Sequence, residues 1–572
     1  MGEPQNFVPE TSSTEMSRRF DWFVLSVVVL LSALVRAWKL SSLGLDHFDE
    51  GVYALSGFWS LHSFHGTALY PFQKFFSPPG YFGVVGLAYL LFGGASDVLA
   101  IAINVICGAA TVALAGWAGR RWFGRGCGLA AAILVAFNNY HVAFSRSALT
   151  DTLFGFLFLF SLALIAIAME KQQSSWGAVA GLAAGAAMNV KYHGWMPVAL
   201  AFILVVTQSI AVWQDKPKVW RMLSIWVAMA AVAVGCFLPW VIYTQAHLGG
   251  YLVVERFHSQ FLDFQWGDNF ARQLEMQLYL EGWMSRLAPA FAFVVAFAAT
   301  GRRAFSRWRV AALAGTTLVT SGIVLGGAGT CVALAIFGFR FARKRGGIFS
   351  KLITYSAAAL FILVPCYTPY ARLLLPWLIF VQILAATGIQ HFLISEEPAG
   401  QTDRRLSWVL GASSLVALLY ILSGFRAGPS PRTWDSKESV RDAVTQMSAS
   451  LPPGSAVFVD QEPDVAFYFR RAGYVTFTIN RLSENRVTQD PLTYSSSGPV
   501  YVVGGLYARQ QPDWNPIPEE FLKRMTMVAQ FQMQPGDVRL LDDFPPSEAL
   551  DYRVHPDARY NLVLFRVVPL GK

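Results

Sequence analysis

Charge is scarce in this sequence. Asp, Glu, Lys and Arg make up 14% of its 572 residues, where an ordinary soluble protein would carry about 25%. Hydrophobic residues make up 54%, and the mean hydropathy is +0.41. That balance excludes a single soluble domain of this length. Cysteine is scarce too. Cys107, Cys127, Cys236, Cys331 and Cys366 all lie in apolar runs without metal-ligand spacing, which excludes a disulfide framework and a cysteine metal centre. There is no P-loop and no Gly-rich dinucleotide fingerprint. No loop assigned to the cytoplasm below could house a nucleotide-sugar transferase domain. The net charge of +9 sits in short loops between apolar runs, which is the pattern of membrane orientation and not of nucleic-acid binding.

What is present is a series of apolar stretches of about membrane-spanning length. Residues 1–21 read as a polar cytoplasmic tail. Arg18 and Arg19 precede the first span, about 22–40, and no small-residue cleavage site follows. The loop 41–97 then lies outside. Within it, 79–93 is apolar but short, and reads as a re-entrant or surface-lying helix. Further spans fall at about 98–118, 127–143, 152–169, 176–190, 195–213 and 222–244. After an outside loop at 245–283 come 284–300, 310–325, 328–342, 350–366, 371–391 and 407–424, thirteen in all. With this count the basic residues Lys216, Lys218, Arg221, Arg302, Arg303, Arg343, Lys344, Arg404 and Arg405 fall inside. Gly322, Gly326, Gly327 and Gly329 must then hold an outside turn. Residues 22–424 form the transmembrane region, and 425–572 read as a soluble extracytoplasmic α/β domain. Its helix is expected at 437–450, with strands at 456–459, 475–479 and 500–503. The fold class is a polytopic α-helical membrane protein of about thirteen transmembrane helices with a C-terminal α/β domain.

Ionisable groups beside a membrane are costly without a purpose. Asp49 and Glu50 stand in the first outside loop, and Asp151 closes a short outside loop after Arg146. Two carboxylates converging on one site would share a proton or a divalent cation, Mg2+ or Mn2+ held by Asp49 and Asp151, and one of them would suit general-base work. Lys191 and Arg372 lie at outside span ends, against the positive-inside bias. With Arg146 they would form a site for an anionic head group, since Arg offers a planar fork and Lys a point charge. His47, His62, His65, His193 and His258 show no ligand spacing.

With these residues in view, the chain resembles the membrane-embedded GT-C glycosyltransferases, and in particular the lipid A aminoarabinose transferases and protein mannosyltransferases. Asp49-Glu50 after the first span, Pro78-Pro79 opening a loop helix and Gly93 closing it carry the resemblance. So do Arg146 and Asp151 before the fourth span, Lys191 after the fifth, and Tyr370, Arg372 and Pro376. It covers roughly 20–390. Ser77 stands where that family often has His or Lys, with Lys74 nearby, and Leu373 stands where it usually has Tyr. The resemblance implies an inverting transfer of sugar from a polyprenyl-phosphate donor to a lipid, protein or polysaccharide acceptor at the outer face of the inner membrane. Asp49 would be the base, with Glu50 and Asp151 orienting it or the acceptor. Lys191, Arg372 and Arg146 would hold the phosphate, and Lys74, Tyr53 and Tyr370 would contact substrate. The alternative from another class is a lipid or glycolipid transporter, which would commonly show inverted repeats; none is visible.

Overall fold

The structure is a computed structural model that describes residues 13–62, 77–300, 308–345, 347–394, 437–460, 462–479, 498–505 and 523–568. Among these, eight helices are long and apolar enough to cross a membrane, or ten spans if each of two bent pairs counts as one. The bent pairs are Arg125–Ala136 with Asn139–Ser145, at 60°, and Trp266–Leu280 with Trp283–Ala299, at 86°. The expected span at 176–190 is the 17-residue helix Ser174–Val190. The one at 407–424, the linker before the soluble domain, and Lys74 lie outside the described residues.

The Gly-rich turn expected at 322–329 is a break between two helices within Trp308–Arg345, at Gly326 with φ 74°. An L side chain rarely adopts that angle. The buried carboxylate of Glu281, at the bend of the second pair, accepts the amides of Gly327 (2.8 Å) and Ala328 (2.5 Å). It thereby caps the helix that restarts there. The outside loop expected at 245–283 is largely helical, with Tyr251–Ser259 and Trp266–Leu280. The segment expected as the first outside loop contains the helix Phe48–His62, with Asp49 and Glu50 in its first turn, and the short apolar helix Gly80–Leu91.

The soluble domain is built on five strands: β1 Ala456–Asp460, β2 Val475–Ile479, β3 Val500–Gly504, β4 Met525–Gln532 and β5 Asn561–Val567. They lie in the order β2-β1-β3-β5-β4. The first three pair in parallel, and β5 is antiparallel to both neighbours. Strand β1 is buried along its whole length, as an inner parallel strand should be. Its side chains alternate between two cores. Ala456 and Phe458 pack with Phe477, Val500 and Val502, whereas Val457 and Val459 join the main core. That main core is continuous. It runs from the membrane helices through helices Ser439–Ser450 and Pro463–Arg471 into the sheet.

The C-terminal sheet domain therefore sits directly on the segment 41–97. A Cβ on Gly51 would fall on the backbone of Pro463 and Asp464. The two helices meet there at a distance that only glycine permits. The other end of the loop is gripped as well, because the buried Asp97 carboxylate receives Arg441 (3.3 Å), Arg471 (2.9 Å) and the Tyr468 hydroxyl (2.9 Å).

Candidate active site

Four of the residues expected from the sequence meet at the junction of membrane region and soluble domain. Asp49 lies in the first turn of Phe48–His62, and Asp151 in the first turn of helix Thr150–Lys171. Carboxylates are favoured at such helix starts. Lys191 follows the last residue of helix Ser174–Val190 in extended conformation. Arg372 sits in the short 3-10 turn Ala371–Leu374. The loop before it is stitched to the helical outside segment by Asp263 N–H to the Cys366 carbonyl (3.0 Å) and Thr368 N–H to the Phe261 carbonyl (2.8 Å).

The four form two ion pairs. Arg372 Nη1 lies 2.5 Å from Asp49 Oδ2, and Lys191 Nζ lies 2.5 Å from Asp151 Oδ1. Each cation also feels the charge of the other pair's carboxylate. The Asp49 side chain is 26% exposed and that of Asp151 only 1%, so Asp49 is the carboxylate an incoming group can reach. Tyr370 lies under the Arg372 guanidinium at 5.2 Å. Tyr53 packs edge-on against Tyr81. The Asp151 Oδ2 atom and the buried hydroxyl of Tyr140 have no hydrogen-bond partner among the described residues. Tyr140, which carried no signal in the sequence, lies within electrostatic reach of Asp151.

Two expected members point elsewhere. Arg146 is buried and donates to the carbonyls of Arg36 (3.0 Å) and Trp38 (2.6 Å). It closes the orphan end of the first span instead of facing a phosphate. Glu50 is fully buried and turned away from Arg372. Its oxygens accept the amides of Asp46 (3.0 Å), His47 (3.2 Å) and Ala148 (2.7 Å). The loop carrying Ala148 is held in turn by Asn104, which donates to the carbonyls of Ser147 (2.6 Å) and Leu149 (2.5 Å). Glu50 thus ties the turn before Asp49 to the turn before Asp151, which is a positioning role.

Lys437, at the start of the soluble domain, reaches Asp46 and Glu50, each at 3.2 Å. Burial pushes the Glu50 carboxyl up. Burial opposes ionisation of Asp46 as well, but Lys437 and the Gly536 amide hold that carboxyl below its usual range. The Lys437 ammonium is raised, its two carboxylates outweighing burial. Arg539, also buried, donates to the Asp46 carbonyl (2.7 Å) and pairs with Glu462 (3.0 Å) and Asp464 (3.3 Å).

The divalent cation expected between Asp49 and Asp151 would meet one oxygen of each carboxylate already in an ion pair. Each carboxylate is committed to a basic side chain, and a second positive charge close by would repel a metal. Among the described residues no group of three or more His, Cys, Asp or Glu residues gathers around a possible metal position.

Residues 77–243 match the family model described as dolichyl-phosphate-mannose-protein mannosyltransferase. No curated protein matches the chain. Among solved structures, ArnT from Cupriavidus metallidurans in the apo state is similar at 15% identity and a TM-score of 0.52, over 96% of this chain and 98% of that one. The Archaeoglobus fulgidus oligosaccharyltransferase in the apo form is similar at 13% identity and a TM-score of 0.52, over 91% of this chain and 75% of that one. The same archaeal enzyme tethered to an acceptor peptide matches at 14% identity and a TM-score of 0.50, over 86% and 70%. At such identities the likeness is one of fold. The chain is thus similar to that family over 77–243 and, over most of its length, to the fold of these solved structures.

Proposed function

We propose that the chain transfers a sugar from a polyprenyl-phosphate donor to an acceptor hydroxyl, with inversion, at the outer face of the membrane. The observation that carries this reading is the double ion pair. One reachable carboxylate, Asp49, stands beside two cations, Arg372 and Lys191, at the membrane boundary. A family named for dolichyl-phosphate mannose over 77–243 supports a lipid-phosphate donor.

In this mechanism Asp49 takes the proton from the acceptor hydroxyl. The oxygen attacks the anomeric carbon from the side opposite the phosphate. The bond from that carbon to the phosphate oxygen breaks, and the lipid phosphate leaves with the electron pair. Arg372 and Lys191 meet the charge as it develops, where fixed countercharge is most effective. Asp151 holds Lys191 in place, and Glu50 holds the backbone before Asp49. Tyr53 and Tyr370 flank the cluster and would contact the substrate.

The test is turnover of purified protein with a panel of polyprenyl-phosphate sugars, read by mass spectrometry of the product. Arg372→Ala and Lys191→Ala each remove a hydrogen bond to a charged group, worth roughly 1.5–3 kcal/mol. Each should slow transfer by about ten- to a hundredfold without loss of expression. Normal turnover in both variants would leave the phosphate site without support.

The orientation is tested separately. With the basic loops inside, a cysteine introduced on the soluble domain at an exposed position such as Val554 should label in intact cells or spheroplasts. Labelling that needs a permeabilised membrane would place the domain on the other side.

A further inference from the structure

Arg372 has a second carboxylate neighbour. The Oδ2 atom of Asp542, in helix Asp537–Asp543 of the soluble domain, lies 4.0 Å from Arg372 Nε. Asp542 is 5% exposed. The same oxygen lies 2.8 Å from His47 Nε2, and the Ala371 amide lies within electrostatic reach of this carboxylate. On its other edge, His47 Nδ1 accepts the amide N–H of Asp49 at 3.0 Å. That bond leaves the imidazole proton on Nε2, directed at Asp542.

These contacts close a ring. It runs from the Asp49 amide through His47 to Asp542, from Asp542 to Arg372, and from Arg372 back to the Asp49 carboxylate. The Asp49–Arg372 pair links the two membrane-side loops directly. That pair is the one the proposed reaction must loosen, since Asp49 becomes neutral on taking a proton and Arg372 turns to phosphate. Asp542 takes no part in the proton transfer. It is the fixed countercharge that keeps Arg372 in register when Asp49 no longer does.

We infer that Asp542 is a positioning residue of the catalytic site: the soluble domain supplies, through Asp542 and its partner His47, the anchor that sets Arg372 and Asp49. The inference rests on the glycosyltransferase reading for its kinetic consequence, but the ring of contacts can be tested without it. The charge around Arg372 agrees with this. Asp49, Asp542 and Asp151 all face it. Burial pushes the Asp542 carboxyl up, but the Arg372 charge and the His47 bond outweigh it and hold the carboxyl below its usual value.

The experiment uses the full-length protein and two readouts. Asp542→Asn keeps the size and an oxygen for His47 but removes the charge. It should lower kcat by about tenfold or more, because misplacing a reacting group by an ångström is that costly, with little change in thermal unfolding. In an Arg372→Ala background the same substitution should have almost no further effect, since it acts through Arg372. A merely structural role predicts the reverse, with equal losses in both backgrounds that track stability, and that result would overturn the inference. The second readout is hydrogen exchange of 43–50 and 367–374 in Asp542→Ala against wild type. Both segments should exchange faster. Unchanged exchange in both would sink the anchor whatever the activity shows. If wild type transfers no sugar while exchange rises in both segments, the ring stands and the glycosyltransferase reading is the part that fails.

Discussion

Asp49→Asn is expected to express, insert and keep its contacts through the backbone amide, yet transfer sugar about a hundred to ten thousand times more slowly. An acceptor hydroxyl is a weak nucleophile at neutral pH, and its proton must leave as the bond to the sugar forms. Asn has the size of Asp and can still accept a bond from Arg372, but it cannot take the proton. Asp49 is assigned this role over Asp151 by access, because the Asp151 carboxylate is almost wholly buried against Lys191. It is assigned over Glu50 by direction, because Glu50 spends its oxygens on backbone amides and Lys437. Glu50→Gln should therefore lose stability more than rate. Turnover that survives in Asp49→Asn and vanishes in Asp151→Asn would move the base to the other carboxylate. Turnover that survives in all three would turn the reading toward lipid transport.

Lys437→Ala is the second large effect, and it is an effect on stability. The variant leaves Asp46 and Glu50 buried side by side without their cation. Breaking a buried ion pair by removing one partner costs roughly 3–5 kcal/mol, because the remaining charge is uncompensated. The soluble domain should then release from the membrane region and become sensitive to protease at its junction, with thermal unfolding shifted down. Adding Glu50→Gln removes part of the orphaned charge and should restore some of the loss. A single variant as stable as wild type would mean that water reaches these carboxylates and that the pairing contributes little.

The residues of the proposed site that stand next to apolar runs are visible in the sequence. Asp49, Asp151, Lys191 and Arg372 are conspicuous because a charge at a span end is costly, and they do meet. The same logic misplaced Arg146. A charge can also be kept at a span end to satisfy helix carbonyls, and a sequence does not separate the two uses. Asp542 and Lys437 gave no signal at all. In a soluble domain a charged residue is ordinary, and these two find their partners 495 and 391 residues away. Strands β1, β2 and β3 were legible as short apolar runs with turn residues around them. Strand β4 was not, since it lies at the sheet edge with Met527 and Val528 exposed and alternates irregularly across a bulge between Met527 and Ala529. Helices Tyr251–Ser259 and Trp266–Leu280 are hard to see in the sequence, because charges and aromatics give them the composition of a loop. Their apolar residues in fact repeat at helical spacing, with Val254 and Met276 turned inward.

The seat of Lys437 between Asp46 and Glu50 also sets an order in time. The two carboxylates leave the ribosome 391 residues before the lysine that neutralises one of them. At about 5–20 residues per second that interval is roughly 20–80 s. During it the first outside loop must stay hydrated, with its carboxylates in water, while the remaining spans insert behind it. Asp542 follows later still. The contacts of Lys437 and Asp542 with the first loop therefore form only after the C-terminal sheet domain is synthesised.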